Sequence, residues 1–226
     1  MSQSLRIQFR ESEVPITECR TKFGGQPVWY EESEWPISKE TNNPMRFICQ
    51  IELDESTFPN SNAKMAYIFL TDEEEYVDGT WEPDGGENAI ILQPGTHKIP
   101  VKEIKEGPTL QKYVEVSGYD RLQPLDVEYE VDLKIVDDPS YSPEEVRRDW
   151  SDKEFEQYAS ILEGNKISGT PIFLQYDEFP EGEDYRLLIQ LDSTQVPFDI
   201  NFGDAGIGYG FINCTGTEGK FLWQCA

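Results

Sequence analysis

The chain is written in short apolar runs broken by glycine, proline and asparagine. RFICQIEL alternates, which predicts a strand with Phe47, Cys49, Ile51 and Leu53 on one face and Arg46, Ile48, Gln50 and Glu52 on the other. AYIFL and NAIILQP are continuous apolar runs suited to strands buried on both sides. DVEYEVDLKIV alternates again: Val127, Tyr129, Val131, Leu133 and Ile135 share a face opposite Asp126, Glu128, Glu130, Asp132 and Lys134. That is a half-wet strand, so the middle of the chain should join the sheet. Helical signals come next. SPEE offers Ser142 as N-cap with proline at the first helical position. Ser151 with Glu154 opens a second helix, Trp150 and Phe155 are placed as a hydrophobic staple, and Gly164 supplies the stop. Phe155, Tyr158 and Leu162 form the stripe expected to face the sheet. The pattern predicts an α+β fold, mainly β, with short antiparallel strands and one helical segment near 142–163.

The pattern also repeats. KFGGQPVW (22–29) is echoed by KISGTPIF (166–173), MRFICQI (45–51) by YRLLIQL (185–191), and AYIFLT (66–71) by GYGFIN (208–213). The order is kept and the spacing drifts by only a few residues. This predicts one domain, 1–226, made of two repeats of a β unit, about 1–100 and 165–226, packed about a pseudo-twofold. A connector strand region (101–140) and the helical segment (141–164) lie between them. Either unit alone would have too few short strands to be stable. The second repeat is expected to end soon after GYGFIN, leaving the acidic loop 72–87 without a counterpart. In the KxxGxP element, Gly25 and Gly169 should take positive φ or allow a close backbone approach, and Pro27 and Pro171 should mark a strand start. Lys22 and Lys166 are expected to be solvated turn lysines.

Charge changes the picture more than size. The 226 residues carry 44 acidic and 19 basic side chains, a net charge of −25. Such a surface repels phosphate backbones and anionic membranes and attracts basic proteins, so no nucleic acid and no membrane partner is expected. No stretch approaches the ~20 apolar residues of a membrane span. MSQSLRIQF has no charged region followed by an apolar run, which predicts a cytoplasmic location. Cys19, Cys49, Cys214 and Cys225 show no metal-ligand spacing and are expected as free thiols.

Arg46 and Gln50, and likewise Arg186 and Gln190, are four residues apart on predicted strands and so should face the same way. Together they would line a polar cleft between the repeats, able to hold an anionic or amide-bearing ligand. The alternative is that the glutamines satisfy backbone groups in the seam. Glu87 and Asn88 beside one glycine turn, and Asn201 and Asp204 beside another, either present oxygen ligands or cap their own turns. Neither segment has the alternating spacing of a calcium loop, so no metal ligands are assigned. FGDAGIG lacks the strand and helix context of a dinucleotide site. Glu87 or Asp204 would be the base if the cleft were catalytic. Cys225 would need His97, the single histidine, and no Cys–His signature joins them. Asp72 to Glu75 is a run of charge. No catalytic set and no cofactor follows from these residues.

KFGGQPVW, RFICQI, GGENAIILQP, LLIQLDS, FGDAGIGYGFI and the closing FLWQC, in that order, resemble the YwqG-like family of bacterial proteins, a domain family of unknown function. The resemblance implies a cytoplasmic, mainly β protein, and it transfers no catalytic residue. It also implies a role shared with members suggested, from their genomic settings, to be immunity proteins that neutralise toxins. The leading expectation is a non-enzymatic binding protein for a basic partner such as a toxin. The rival is a ligand-binding protein or enzyme using the cleft between repeats.

Overall fold

A computed structural model describes residues 2–72, 77–95, 99–116, 121–182 and 184–226. Its centre is one antiparallel sheet of ten strands. In chain order these are β1 (Ser2–Glu11), β2 (Lys22–Gly24), β4 (Arg46–Glu52), β5 (Met65–Leu70), β6 (Asn88–Gln93), β10 (Glu128–Asp138), β11 (Lys166–Ile167), β12 (Tyr185–Asp192), β13 (Ile207–Asn213) and β14 (Gly219–Gln224). Two small ladders stand beside it among the described residues: β3 (Trp35–Pro36) with β7 (Val101–Lys102), and β8 (Gln111–Val114) with β9 (Gln123–Asp126). The helices are α1 (Glu144–Arg147) and α2 (Asp152–Leu162).

Strand order is β14-β13-β12-β11-β1-β10-β2-β4-β5-β6. The two longest strands, β1 and β10, pair along their whole length in the middle. Each half then runs outward as a meander in chain order. The crossing is unexpected: β1 pairs with β11, far along the chain, and β10 pairs with β2. The sheet curls so far that its ends, β6 and β14, lie against each other. It encloses a core that draws Ile51, Ile68 and Leu92 from one half and Ile189, Leu191 and Phe221 from the other.

The outer face of each half is covered too, which is why β5, β6 and β13 are buried at every position. Over the first half, residues 25–35 and 99–107 bury Phe47, Tyr67, Phe69 and Ile91 beneath Trp29 and Trp35. Over the second, Phe173 covers Leu187, Tyr209, Phe211 and Leu222.

A bulge in each inner strand overturns part of the predicted alternation. Register slips between Phe47 and Cys49, and again between Leu187 and Ile189. The extra residue turns the rest of each strand over. Phe47 therefore packs in the outer cluster while Ile48, Cys49 and Ile51 face the central core.

The connector strand joins the sheet as its alternation predicted, but its apolar face is graded. Val127 and Tyr129 are buried, whereas Leu133 and Ile135 are exposed. The capping box of Ser151 and Glu154 is present, and Gly164 follows α2 at φ 85°. Pro143, and not Ser142, caps α1, without a side-chain bond. Trp150 packs edge-on against Tyr158 in place of the expected staple with Phe155, which is exposed. Beyond GYGFIN the chain adds β14, which borders β13 as β6 borders β5, so the second half does not stop early. Among the described residues no helix is long and apolar enough to cross a membrane.

Candidate functional site

Apart from the short β3–β7 ladder, the segments covering the outer faces are irregular backbone, so side chains must meet many of their polar groups. In the first half Gln50 accepts from Val28 N at 2.8 Å and donates to Arg20 O at 2.9 Å. The Tyr67 hydroxyl donates to Val28 O at 3.0 Å and accepts from Tyr30 N at 2.6 Å. Gln93 accepts from Glu31 N at 3.0 Å and donates to Glu32 O at 2.7 Å. The second half repeats the set. Gln190 accepts from Ile172 N and donates to Gly164 O, both at 3.0 Å. Tyr209 donates to Ile172 O at 2.9 Å and accepts from Leu174 N at 3.0 Å. Gln224 accepts from Gln175 N at 3.0 Å and donates to Tyr176 O at 2.9 Å. All six side chains are buried. Burial raises the tyrosines above the ordinary phenol range and keeps them neutral.

The two lysines are the largest departure from expectation. Lys22 and Lys166 are 0 % exposed. Each is a strand residue whose amine turns back under its own KxxGxP element. Lys22 donates to Gln26 O at 2.5 Å and pairs with Glu128; Lys166 donates to Thr170 O and pairs with Asp138 at 3.1 Å. Both carboxylates come from β10. The second pair is the more enclosed: Asp138 accepts from Ser4 Oγ at 2.8 Å and Thr170 N at 3.0 Å, with Arg6 at 3.5 Å. Burial outweighs the attraction of Asp138 and lowers Lys166 to about 8. It lowers Lys22 as well, against the bond to Glu128.

Glycine makes this possible. Gly25 (φ 61°) and Gly169 (φ 85°) take the predicted left-handed conformation. A β-carbon on Gly25 would stand 2.4 Å from the Glu128 carboxylate, and one on Gly169 2.3 Å from Asp138 Oδ2.

The bulges place the four expected cleft residues in separate surroundings. Gln50 and Gln190 are fully buried and hold backbone, but beneath the covering segments on the outer faces and not in a seam between the halves. Arg46 pairs with Asp72. Arg186 donates to Pro59 O at 3.1 Å and lies over the Phe58 ring. Glu87 is buried and accepts from Ser38 Oγ and Thr71 Oγ1, each at 2.7 Å, and from Glu40 N at 2.8 Å. Asn88 donates to Thr80 O and Glu82 O at 2.9 Å. Asn201 accepts from Gly203 N at 2.9 Å, and the Asp204 carbonyl accepts from Ala226 N at 2.9 Å. Glu87, Asn88 and Asn201 thus bond their own or neighbouring loops. Among the described residues no three His, Cys, Asp or Glu side chains could hold a metal. His97 and Glu73 to Glu75 lie outside the described residues.

Among the described residues, two recesses lie near these side chains, besides an open one of ≈ 630 Å³ over Arg6, Asn165 and Gln195. One, of ≈ 260 Å³, lies between the halves and is lined by Arg46, Thr71, Asp72, Asn201 and Trp223. The other, of ≈ 820 Å³, opens beside Lys22 between residues 15–17, 25–33 and 103–106. Its walls include Ile16, Pro27, Val28 and Trp29, and its rim carries Glu31, Glu32, Glu103 and Glu106 against Lys105. Glu128 already compensates Lys22. The sequence reading missed this cleft, and also missed the carboxylate partners of the lysines. The doubled KxxGxP was the available signal for the lysines, but Glu128 lies 106 residues from Lys22 and Asp138 lies 28 residues from Lys166, on another element.

A mainly β domain with pinned covering segments and an acidic cleft is thereby defined. The chain belongs to the family described as Domain of unknown function (DUF1963), whose model matches residues 21–217. Among curated proteins, none matches the chain.

Proposed function

We propose that this protein is a duplicated β unit folded about a pseudo-twofold, and that it works as a protein-binding module for a basic partner, in the manner of an immunity protein. The recurring bonds made by Gln50, Tyr67 and Gln93 and by Gln190, Tyr209 and Gln224 support the duplication. The binding role rests on one observation above all: the cleft beside Lys22 has apolar walls under a rim of four glutamates and one lysine. Carboxylates in that arrangement steer a cationic segment inward, and the walls then take its apolar groups. Gln50 and Gln190, first suspected of holding a substrate, bond the protein's own backbone, while Arg46 and Glu87 bond side chains of the same chain.

The tagged chain purified from its native host at low salt is expected to retain a basic protein, with affinity falling as salt rises. Co-expression should protect cells from that partner if it is a toxin. Recovery of no partner at low salt, together with no protection, sinks the reading.

A second reading, a small-ligand site between the halves, is favoured by the recess that Arg46 and Asn201 share. It expects a compound whose thermal stabilisation of the protein is cancelled by Arg46→Gln. A compound that stabilises both forms equally would place the binding elsewhere.

A further inference from the structure

We infer that the cleft beside Lys22 is a docking groove for an amphipathic helix of the partner protein, one carrying lysine or arginine beside its apolar stripe. This deepens the reading of a basic partner and rests on it. The other half of the molecule shows what the site accepts. Val28 and Ile172 occupy the same place in the two hydrogen-bond sets: each N–H donates to a buried glutamine, and each carbonyl accepts from a buried tyrosine. Over Ile172 lies α2, with Tyr158, Ala159 and Leu162 packed against it and Trp150 alongside.

The difference comes from the links. Residues 139–165 join β10 to β11 and are long enough to carry two helices across the covering segment. Residues 12–21 join β1 to β2, are far shorter and contain no helix. Over Val28 the chain therefore leaves the ≈ 820 Å³ cleft where the second half has its own helix.

Charge selects the occupant. The rim presents Glu31, Glu32, Glu103 and Glu106, all exposed. Helix α2 bears Asp152, Glu154 and Glu156 and would be repelled there. A helix with the same apolar spacing and basic flanks is complementary in both respects.

The probe is a synthetic peptide of residues 150–163 in which every Asp and Glu is replaced by Lys. Its control is a scrambled peptide of the same composition. Binding to the full chain is measured by fluorescence anisotropy at low salt. The amphipathic peptide is expected to bind at least tenfold tighter than the scrambled one. Thr17→Trp, which fills the cleft from an exposed link position, and the double change Glu103→Lys with Glu106→Lys should each weaken it at least tenfold. Each variant must keep the parent's melting temperature. Absence of binding, equal binding of both peptides, or indifference to both variants overturns the proposal. A basic partner that still co-purifies with both variants would leave the partner reading standing and remove only this groove.

Discussion

Replacing Asp138 by alanine is expected to lower the unfolding free energy by about 3–5 kcal/mol, the usual cost of stranding a buried charge. Asp138 is enclosed with Lys166, and its two oxygens also meet Ser4 Oγ and Thr170 N. Alanine leaves the ammonium with Thr170 O and no counter-charge. Asp138→Asn keeps an oxygen for Ser4 or Thr170 and should lose less. Urea unfolding at pH 7 measures both, and a loss below about 1 kcal/mol for the alanine variant would contradict a buried ion pair at this site.

The same pair gives the parent a characteristic pH profile. Lys166 titrates near 8 in the folded chain and near its ordinary ~10.4 when unfolded. Between those values the unfolded chain binds more protons, so stability rises with pH, by about 2 kcal/mol from pH 8 to 10. Lys22, lowered in the same direction, adds to the slope. Above pH ~10 the sign reverses, because unfolded tyrosines ionise while Tyr67 and Tyr209, raised by burial, stay neutral. Lys166→Met should remove most of the rise.

Gly169→Ala should be the second most damaging of these changes, at about 4 kcal/mol, from two sources. A left-handed φ costs an alanine about 1–2 kcal/mol. The new β-carbon would also sit 2.3 Å from Asp138 Oδ2 and 2.7 Å from Ser4 Cβ, forcing apart a pair that has nowhere to go. Gly25→Ala meets the Glu128 carboxylate at 2.4 Å, but Glu128 is partly exposed and can swing out, so about 2 kcal/mol is expected there. Gly79, at φ 81° with nothing nearer than 3.9 Å, isolates the conformational cost. If thermal melts rank Gly169→Ala no worse than Gly79→Ala, the carboxylate does not depend on that glycine.

Local pattern revealed the strands and the α2 cap because alternation, the Ser151–Glu154 box and Gly164 act within a few residues of themselves. The doubled motifs were visible for the same reason, and Gln50, Tyr67, Gln190 and Tyr209, which hold the covering segments, lie within them. The bulges at Ile48 and Leu188 were illegible, since an extra residue changes no composition yet reverses the face of everything after it. Buried lysines were illegible too. Nothing near Lys22 or Lys166 announces a carboxylate, because each partner is set by how β10 runs through the sheet. The acidic cleft is not a motif at all. It exists because one link is short and its counterpart is long, a difference visible only once both links are seen crossing equivalent surfaces.

The exchange of central strands bears on how the molecule comes to be made. During synthesis β1 emerges early, yet its neighbours β10 and β11 are far down the chain. The meander β2-β4-β5-β6 likewise waits for β10 to occupy the inner edge of β2 and bring Tyr129 towards Phe23. Until residues near 138 have left the ribosome, the first half exposes an unpaired strand edge and one side of its core. Closure of the first half thus waits for β10, and the long-range pairing it needs forms slowly. The net charge of −25 opposes association of chains in that interval.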